Sequence, residues 1–226
     1  TINTDVTSVS AYAFEGATKL TTITSWGSVT TIGQHSFDGC STLPSLTISD
    51  SVTSIGVGSF KDCVSLPSVT FGKELTSIPD DAFNGCKELK EINIPDTITI
   101  IGNNTFNGCS SVTTLTFNKV TTIGENAFKG ISVASITIPD TVETIGQNAF
   151  STISQLTSVE FKGKQNPTTQ GNVFTNSNNI EYADVPIDYK NDKFCELKPR
   201  TKGDCSDTIG ECTFIYYHNN FKLVIS

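Results

Sequence analysis

The hydrophobic positions of this chain recur at one long interval. Phe14, Phe37, Phe60, Phe83, Phe106, Phe128, Phe150 and Phe174 lie 23, 23, 23, 23, 22, 22 and 24 residues apart, which divides residues 6 to 189 into eight units beginning near 6, 29, 52, 75, 98, 120, 142 and 166. A unit reads V-T-[ST]-I-G-x-x-A-F-x-G-C-x-x-L-x-x-I-x-I-x-x-x, with apolar positions 1, 4, 9, 12, 15, 18 and 20. Neither a helical nor a strand period runs through it. The segment L-x-x-I-x-I ends in the alternation of a half-buried strand, and V-T-x-I at the start reads as a second short extended piece.

Between these pieces, x-x-A-F-x-G-C has room for about one or two helical turns, and its Gly (Gly16, Gly39, Gly85, Gly108, Gly130) suits a left-handed cap. A second glycine column, Gly33, Gly56, Gly102, Gly124 and Gly146, marks the preceding turn. The predicted unit is strand, turn, short helix, turn, strand. A piece of about 23 residues cannot enclose its own apolar face, so neighbours must stack into one continuous core. The fold class expected is a repeat solenoid, mostly β with short helical turns, over residues 1–189, closed by a cap over 190–226. In the cap, Thr213–Tyr217 and Phe221–Ile225 read as two strands around a turn.

The units carry a recognisable signature. Leu89 to Cys109, L-K-E-I-N-I-P-D-T-I-T-I-I-G-N-N-T-F-N-G-C, resembles the Treponema-type, or BspA-like, leucine-rich repeat almost position for position. The resemblance implies a leucine-rich repeat solenoid of the kind found in cell-surface or secreted proteins of bacteria and mucosal protists. There it serves as an adhesin for host matrix proteins, epithelial cells or other microbes. The tail around Val185, Pro186, Tyr189, Phe194 and Cys195 looks like the protist branch. The family brings no catalytic residues. Ala17, Ile131, Ile153 and Ser177 depart from its Cys position, and the last unit is degenerate at Asn166-Pro167-Thr168-Thr169.

Cysteine separates solenoid from cap. Cys40, Cys63, Cys86 and Cys109 share one position in successive units where others carry Ala17 or Ile131, so they read as a column of buried free thiols. Equivalent repeat positions form a line, which a tetrahedral metal site cannot use. Cys195, Cys205 and Cys212 lie in the cap, where one disulfide is expected, with Cys195 a partner.

Charge narrows the partner. Residues 1–189 carry a net charge of −9 and residues 190–226 a net +1, with a single arginine, Arg200. A nucleic-acid binder shows the opposite balance, with a basic face and arginine forks for phosphate. The longest apolar runs, such as Leu223–Ile225, are far short of the roughly 20 residues of a membrane span. The chain begins with Thr and shows no signal-peptide pattern, as a mature product or a fragment would. No nucleophile–base pairing, phosphate loop or multi-histidine cluster is visible, His35 and His218 being alone. No cofactor or metal is expected, and an enzyme is the least favoured class. Asp50, Asp96 and Asp140 recur after strands as turn formers, without the dense alternation of calcium repeats.

The surface expected to meet a ligand is the outward side of the L-x-x-I-x-I strands, mostly a field of Ser and Thr. The pattern breaks at Lys90, Glu91 and Asn93, beside Thr114 and Thr116, and again at Glu160, Tyr182 and Asp184, which are the candidate binding residues. Trp26 either anchors a partner or shields the solenoid end. Asn103-Asn104-Thr105 is an N-x-T sequon, making Asn103 a glycosylation candidate. The function expected is a non-enzymatic cell-surface or secreted adhesion protein that binds a protein or glycan on host or neighbouring cells through its strand face. The competing reading is an intracellular scaffold or spacer without an extracellular ligand.

Overall fold

A computed structural model describes residues 5–23, 25–180 and 182–186, together with the backbone of Lys198–Thr201, Phe214–Tyr217 and Asn220–Leu223. Each sequence unit forms one turn of a solenoid, here termed a coil, and successive coils stack through parallel strands. The V-T-x-I pieces form the first ladder. It runs Ser8–Val9, Thr31–Ile32, Ser54–Ile55 and then, as a second block, Ser77–Ile78, Ile100–Ile101, Thr122–Ile123, Thr144–Ile145, Thr168–Thr169. The L-x-x-I-x-I pieces form the second ladder in three blocks. These are Leu46–Thr47 with Val69–Thr70, Glu91–Asn93 with Thr114–Thr116, and Ser135–Ile138 with Ser158–Phe161, Tyr182–Val185 and Lys198–Thr201. Leu20–Ile23, the segment of the first unit at the position where L-x-x-I-x-I predicts a strand, is not one. In the cap, Phe214–Tyr217 and Asn220–Leu223 pair antiparallel.

The core repeats the sequence pattern. The eight ring-column phenylalanines stack face to face along the solenoid, with centroids 5.1 Å apart at Phe14–Phe37 and 5.7 Å apart at Phe150–Phe174. Leu43, Leu66, Leu89 and Leu156 are also fully enclosed, as are Ile78, Ile101, Ile123 and Ile145 from the first ladder. Trp26 is buried edge-on to Phe37 and its Nε1 donates to the Thr47 carbonyl, so it shields the core and is not a surface anchor.

The expected helical turn is absent: no α-helix occurs among the described residues. The reason is two left-handed residues four apart in each of the first seven coils. Asn104 (φ 53°) is followed by Gly108 (φ 72°), and Asp81 (φ 57°) by Gly85 (φ 78°). No right-handed helix can pass through both. Instead, alternate N–H groups leave the coil. Those of His35, Phe37 and Gly39 donate to Val57, Ser59 and Lys61 in the next coil (2.9, 2.8 and 2.8 Å), while those of Ser36, Asp38 and Cys40 close turns onto Gly33, His35 and Phe37. The corner is therefore a string of tight turns that itself bonds coil to coil.

The second glycine column has a different cause, close approach and not turn conformation. A Cβ built on Gly124 would stand 2.5 Å from the Gly102 carbonyl carbon and 2.6 Å from Asn103 N. At Gly33 it would stand 2.5 Å from Ala11 N. Only hydrogen lets the backbones of adjacent coils pass this close.

One defect in this packing is testable. The Oγ atoms of Ser36 and Ser59 are buried with no hydrogen-bond partner in the described structure, where equivalent coils carry the buried Ala82, Ala127 and Ala149. Thr105, at the same position, donates to the carbonyls of Gly102 (2.7 Å) and Pro79 (3.1 Å). An unsatisfied buried hydroxyl costs about 1–3 kcal/mol. Ser36→Ala and Ser59→Ala are each expected to raise stability by about 1 kcal/mol in urea titrations.

Candidate binding face

Alternation along the second ladder points one set of side chains into the core and the other into solvent. Ile92 is enclosed between exposed Glu91 and Asn93, and Ile136 between exposed Ser135 and Thr137. Parallel register then aligns equivalent positions into rows: Glu91 lies opposite Thr114, Asn93 opposite Thr116, Ser135 opposite Ser158, Thr137 opposite Glu160, and Glu160 opposite Asp184. Thr116 Oγ1 donates to Asn93 Oδ1 at 2.8 Å, so the amide is held in a fixed orientation.

The candidate residues fall into two groups on this one surface. Lys90, Glu91, Asn93, Thr114 and Thr116 are all exposed and form a single patch over the fourth and fifth coils. Glu160 and Asp184 are half-buried and adjacent in register further along. Tyr182 lies in the same strand as Asp184, opposite Lys198, and its side chain is outside the described residues. Lys162, which the sequence reading overlooked, places Nζ 2.7 Å from Glu160 Oε1, and both border a shallow recess that continues to Asp184 and Pro186. Its signal was simple: in an extended chain a residue two beyond Glu160 lies on the same side.

Some Thr hydroxyls are occupied by the fold. Those of Thr30, Thr53 and Thr121 donate to the carbonyls of Thr7, Thr30 and Thr99 in the preceding coil, and that of Thr157 donates to Ala134. These threonines fasten coils together. Position six of the coil does the same on the corner side. Asp80 Oδ1 accepts the Asn103 N–H at 2.6 Å, and Asn103 Oδ1 accepts the Glu125 N–H at 2.8 Å. Asn103 is exposed, but Thr105 of its sequon is buried. Asp50 accepts the Lys73 N–H, which together with the ammonium of the same residue lowers its pKa.

Cys40, Cys63, Cys86 and Cys109 are free and buried, and they have a structural role. Cys40, Cys63, Cys86 and Cys109 each donate Sγ–H to the carbonyl of the phenylalanine in the preceding coil, at 3.2 to 3.3 Å. Ser177 takes the same position and donates to Phe150 O at 2.9 Å. Burial pushes the Cys86 thiol well above its ordinary value and the Cys109 thiol up to about 12. A folded-state pKa above the unfolded one gives stability that is complete below the unfolded value and lost as pH rises through the folded value. Urea midpoints are accordingly expected to fall as pH rises from about 9 towards 12, and less steeply in Cys86→Ala. Cys195, Cys205 and Cys212 lie outside the described residues, as does His218. Among the described residues no group of three or more His, Cys, Asp or Glu could hold a metal ion, and no helix is long and apolar enough to cross a membrane.

Comparison with known proteins agrees with this architecture. A leucine-rich repeat protein from Bacteroides ovatus has a similar structure, at 26% identity and a TM-score of 0.76, over 82% of this chain and 48% of that one. This chain thus spans about half the length of that neighbour. The T. pallidum leucine-rich repeat protein TpLRR shares the fold at 22% identity and a TM-score of 0.54, over 73% of each chain. The pneumococcal vaccine antigen PcpA shares it at 18% identity and a TM-score of 0.53, over 83% of this chain and 57% of its own. No curated protein matches significantly. The family model described as BspA type leucine-rich repeat region matches six copies across residues 1–93 and 76–196, so the chain belongs to the BspA-type leucine-rich repeat family.

Proposed function

We propose that this solenoid is a non-enzymatic binding protein of the cell surface or extracellular space, which engages a protein or glycan on another cell or matrix through the outward face of its second ladder. The observation that carries the reading is the patch of Lys90, Glu91 and Asn93 beside Thr114 and Thr116. It places two opposite charges and an oriented amide, all exposed, in a face lined mostly by short hydroxyl side chains. Neither Lys90 nor Glu91 has an ion-pair partner among the described residues, so both charges are open to a ligand. Membership of a leucine-rich repeat family supports a protein-binding role, and the fold shared with a pneumococcal vaccine antigen is consistent with a surface setting.

The test is a screen of the labelled protein on arrays of purified extracellular-matrix proteins and of glycans. At least one saturable ligand is expected, with binding weakened about tenfold or more in Glu91→Ala, as for loss of a charged contact at an interface centre, and with an unchanged urea midpoint. Absence of any binder, together with native protein that is found only inside intact cells, would contradict the proposal and favour the scaffold.

A further inference from the structure

The coils are not joined uniformly. Between the third coil (52–74) and the fourth (75–97), both ladders are interrupted: Ser54–Ile55 does not pair with Ser77–Ile78, nor Val69–Thr70 with Glu91–Asn93. In the first ladder the cause is visible. Gly102, Gly124 and Gly146 each donate a backbone N–H to Ile78, Ile101 and Ile123 of the coil before, at 2.8 Å. The fourth coil carries Pro79 at that position and has no N–H to give. The Thr99 and Thr121 amides likewise donate to Thr76 and Thr99, whereas no bond from the Thr76 amide to Thr53 exists among the described residues. On the second ladder, Ile48 and Ile94 donate to Thr70 and Thr116 of the next coil, and Phe71 has no such bond to Asn93.

The far edge, where each coil returns from second to first ladder, repeats the pattern. Asp50 ties the second coil to Lys73 of the third, and Asp96 ties the fourth to Asn118 of the fifth, at 3.3 Å from its Nδ2. No hydrogen bond or ion pair joins the third to the fourth coil there among the described residues. Packing gives an independent sign. Ile55 and Val69 are 7% and 9% exposed, where Ile32, Ile78 and Ile92 are 0 to 1%.

What remains is concentrated on the corner side. Gly58, Phe60 and Asp62 donate to Asp80, Ala82 and Asn84 at 3.0, 2.9 and 2.8 Å, Cys86 Sγ reaches Phe60 O and Phe60 stacks on Phe83 at 5.5 Å, while towards the second ladder Glu88 and Lys90 donate to Val64 and Pro67 and Phe71 meets Phe83 edge-on at 5.7 Å. A junction bonded densely along one edge and sparsely along the others bends about the bonded edge. The boundary between the fifth and sixth coils differs, because only its second ladder is interrupted while Ile100–Ile101 still pairs with Thr122–Ile123.

We propose that the junction of the third and fourth coils is a hinge, with the Gly58–Asp62 corner as its axis, about which coils one to three and coils four to eight move as two bodies. The hinge crosses the second ladder between Thr70 and Glu91, so a rigid ligand that bridges both sides would select one opening angle. Matched spin-label pairs on the full chain test it. Ketone-bearing residues introduced at Thr31 and Thr122 span four coil steps across the junction, and at Ser77 and Thr168 four steps within the second body. The distance distribution across the junction is expected to be at least about twofold wider, and to narrow in Pro79→Gly, which restores the N–H. Equal widths for the two wild-type pairs would overturn the hinge, whether or not Pro79→Gly folds.

Discussion

Replacing Phe83 by Ala is expected to lower the free energy of unfolding by about 3–5 kcal/mol. The ring is fully enclosed, stacked at 5.5 Å on both Phe60 and Phe106, and met edge-on by Phe71 at 5.7 Å. Its loss removes the transfer energy of a large apolar side chain and leaves a void that the two neighbouring coils, fixed by corner hydrogen bonds, cannot close. Since a domain is stable by only about 5–15 kcal/mol, the change consumes a large share of the total. In a stacked array stability is passed between neighbours, so a central break uncouples the flanks, and the urea transition is expected to broaden or split. Phe14→Ala is the internal control. That ring is 39% exposed and stacked on one side only, and its removal is expected to cost far less. Equal costs at the two positions would mean that the ring column is not the axis of the core.

Gly124→Ala is the second large effect. The added methyl meets the Gly102–Asn103 peptide of the preceding coil, with the Gly102 carbonyl carbon at 2.5 Å and Gly102 O and Asn103 N at 2.6 Å, and these nearest atoms are backbone, not the end of a flexible side chain. The coils must separate locally, which strains the Gly124 N–H bond to Ile101 O and the corner beyond it. Overpacking of a well-filled interior costs about 1–3 kcal/mol, occasionally more, and contact with rigid backbone belongs at the upper end. Gly108→Ala separates this steric cause from a conformational one. A Cβ there enters open space, but φ is +72°, so only the left-handed penalty of about 1–2 kcal/mol applies. The expected order in urea midpoint is wild type, then Gly108→Ala, then Gly124→Ala.

These two glycine columns show how far the sequence could be read. The 23-residue spacing, the ring column and the thiol column were legible because a buried site in a solenoid repeats its residue type in every coil. Left-handed geometry at Gly108 and Gly130 was legible for the same reason. The second left-handed position was not, since it is filled by Tyr12, His35, Gly58, Asp81, Asn104, Asn126 and Asn148, which share no chemistry except that Gly, Asn and Asp tolerate positive φ. Missing it produced the expectation of a short helix. Close approach at Gly124 and a turn leave the same mark in the sequence because both demand glycine, and only the packing of adjacent coils distinguishes them.

Of the candidate face, the alternation at Glu91, Ile92 and Asn93 was readable residue by residue. The pairing of Lys162 with Glu160 followed from strand geometry that was not applied beyond the strand's end. The structural duty of Thr30, Thr53, Thr121 and Thr157 was not readable, because a hydroxyl that bonds the preceding coil and one that faces solvent look alike in sequence.

Carbodiimide labelling of carboxylates, in the free protein and in complex with a ligand from the array screen, shows whether the second ladder presents the ligand-binding face. Glu91 is exposed on the second ladder, whereas Asp62 and Glu125 lie on the corner side. The ligand is expected to protect Glu91 and to leave Asp62 and Glu125 labelled as in the free protein. Protection of Asp62 and Glu125 with Glu91 unchanged would contradict a binding face on the second ladder.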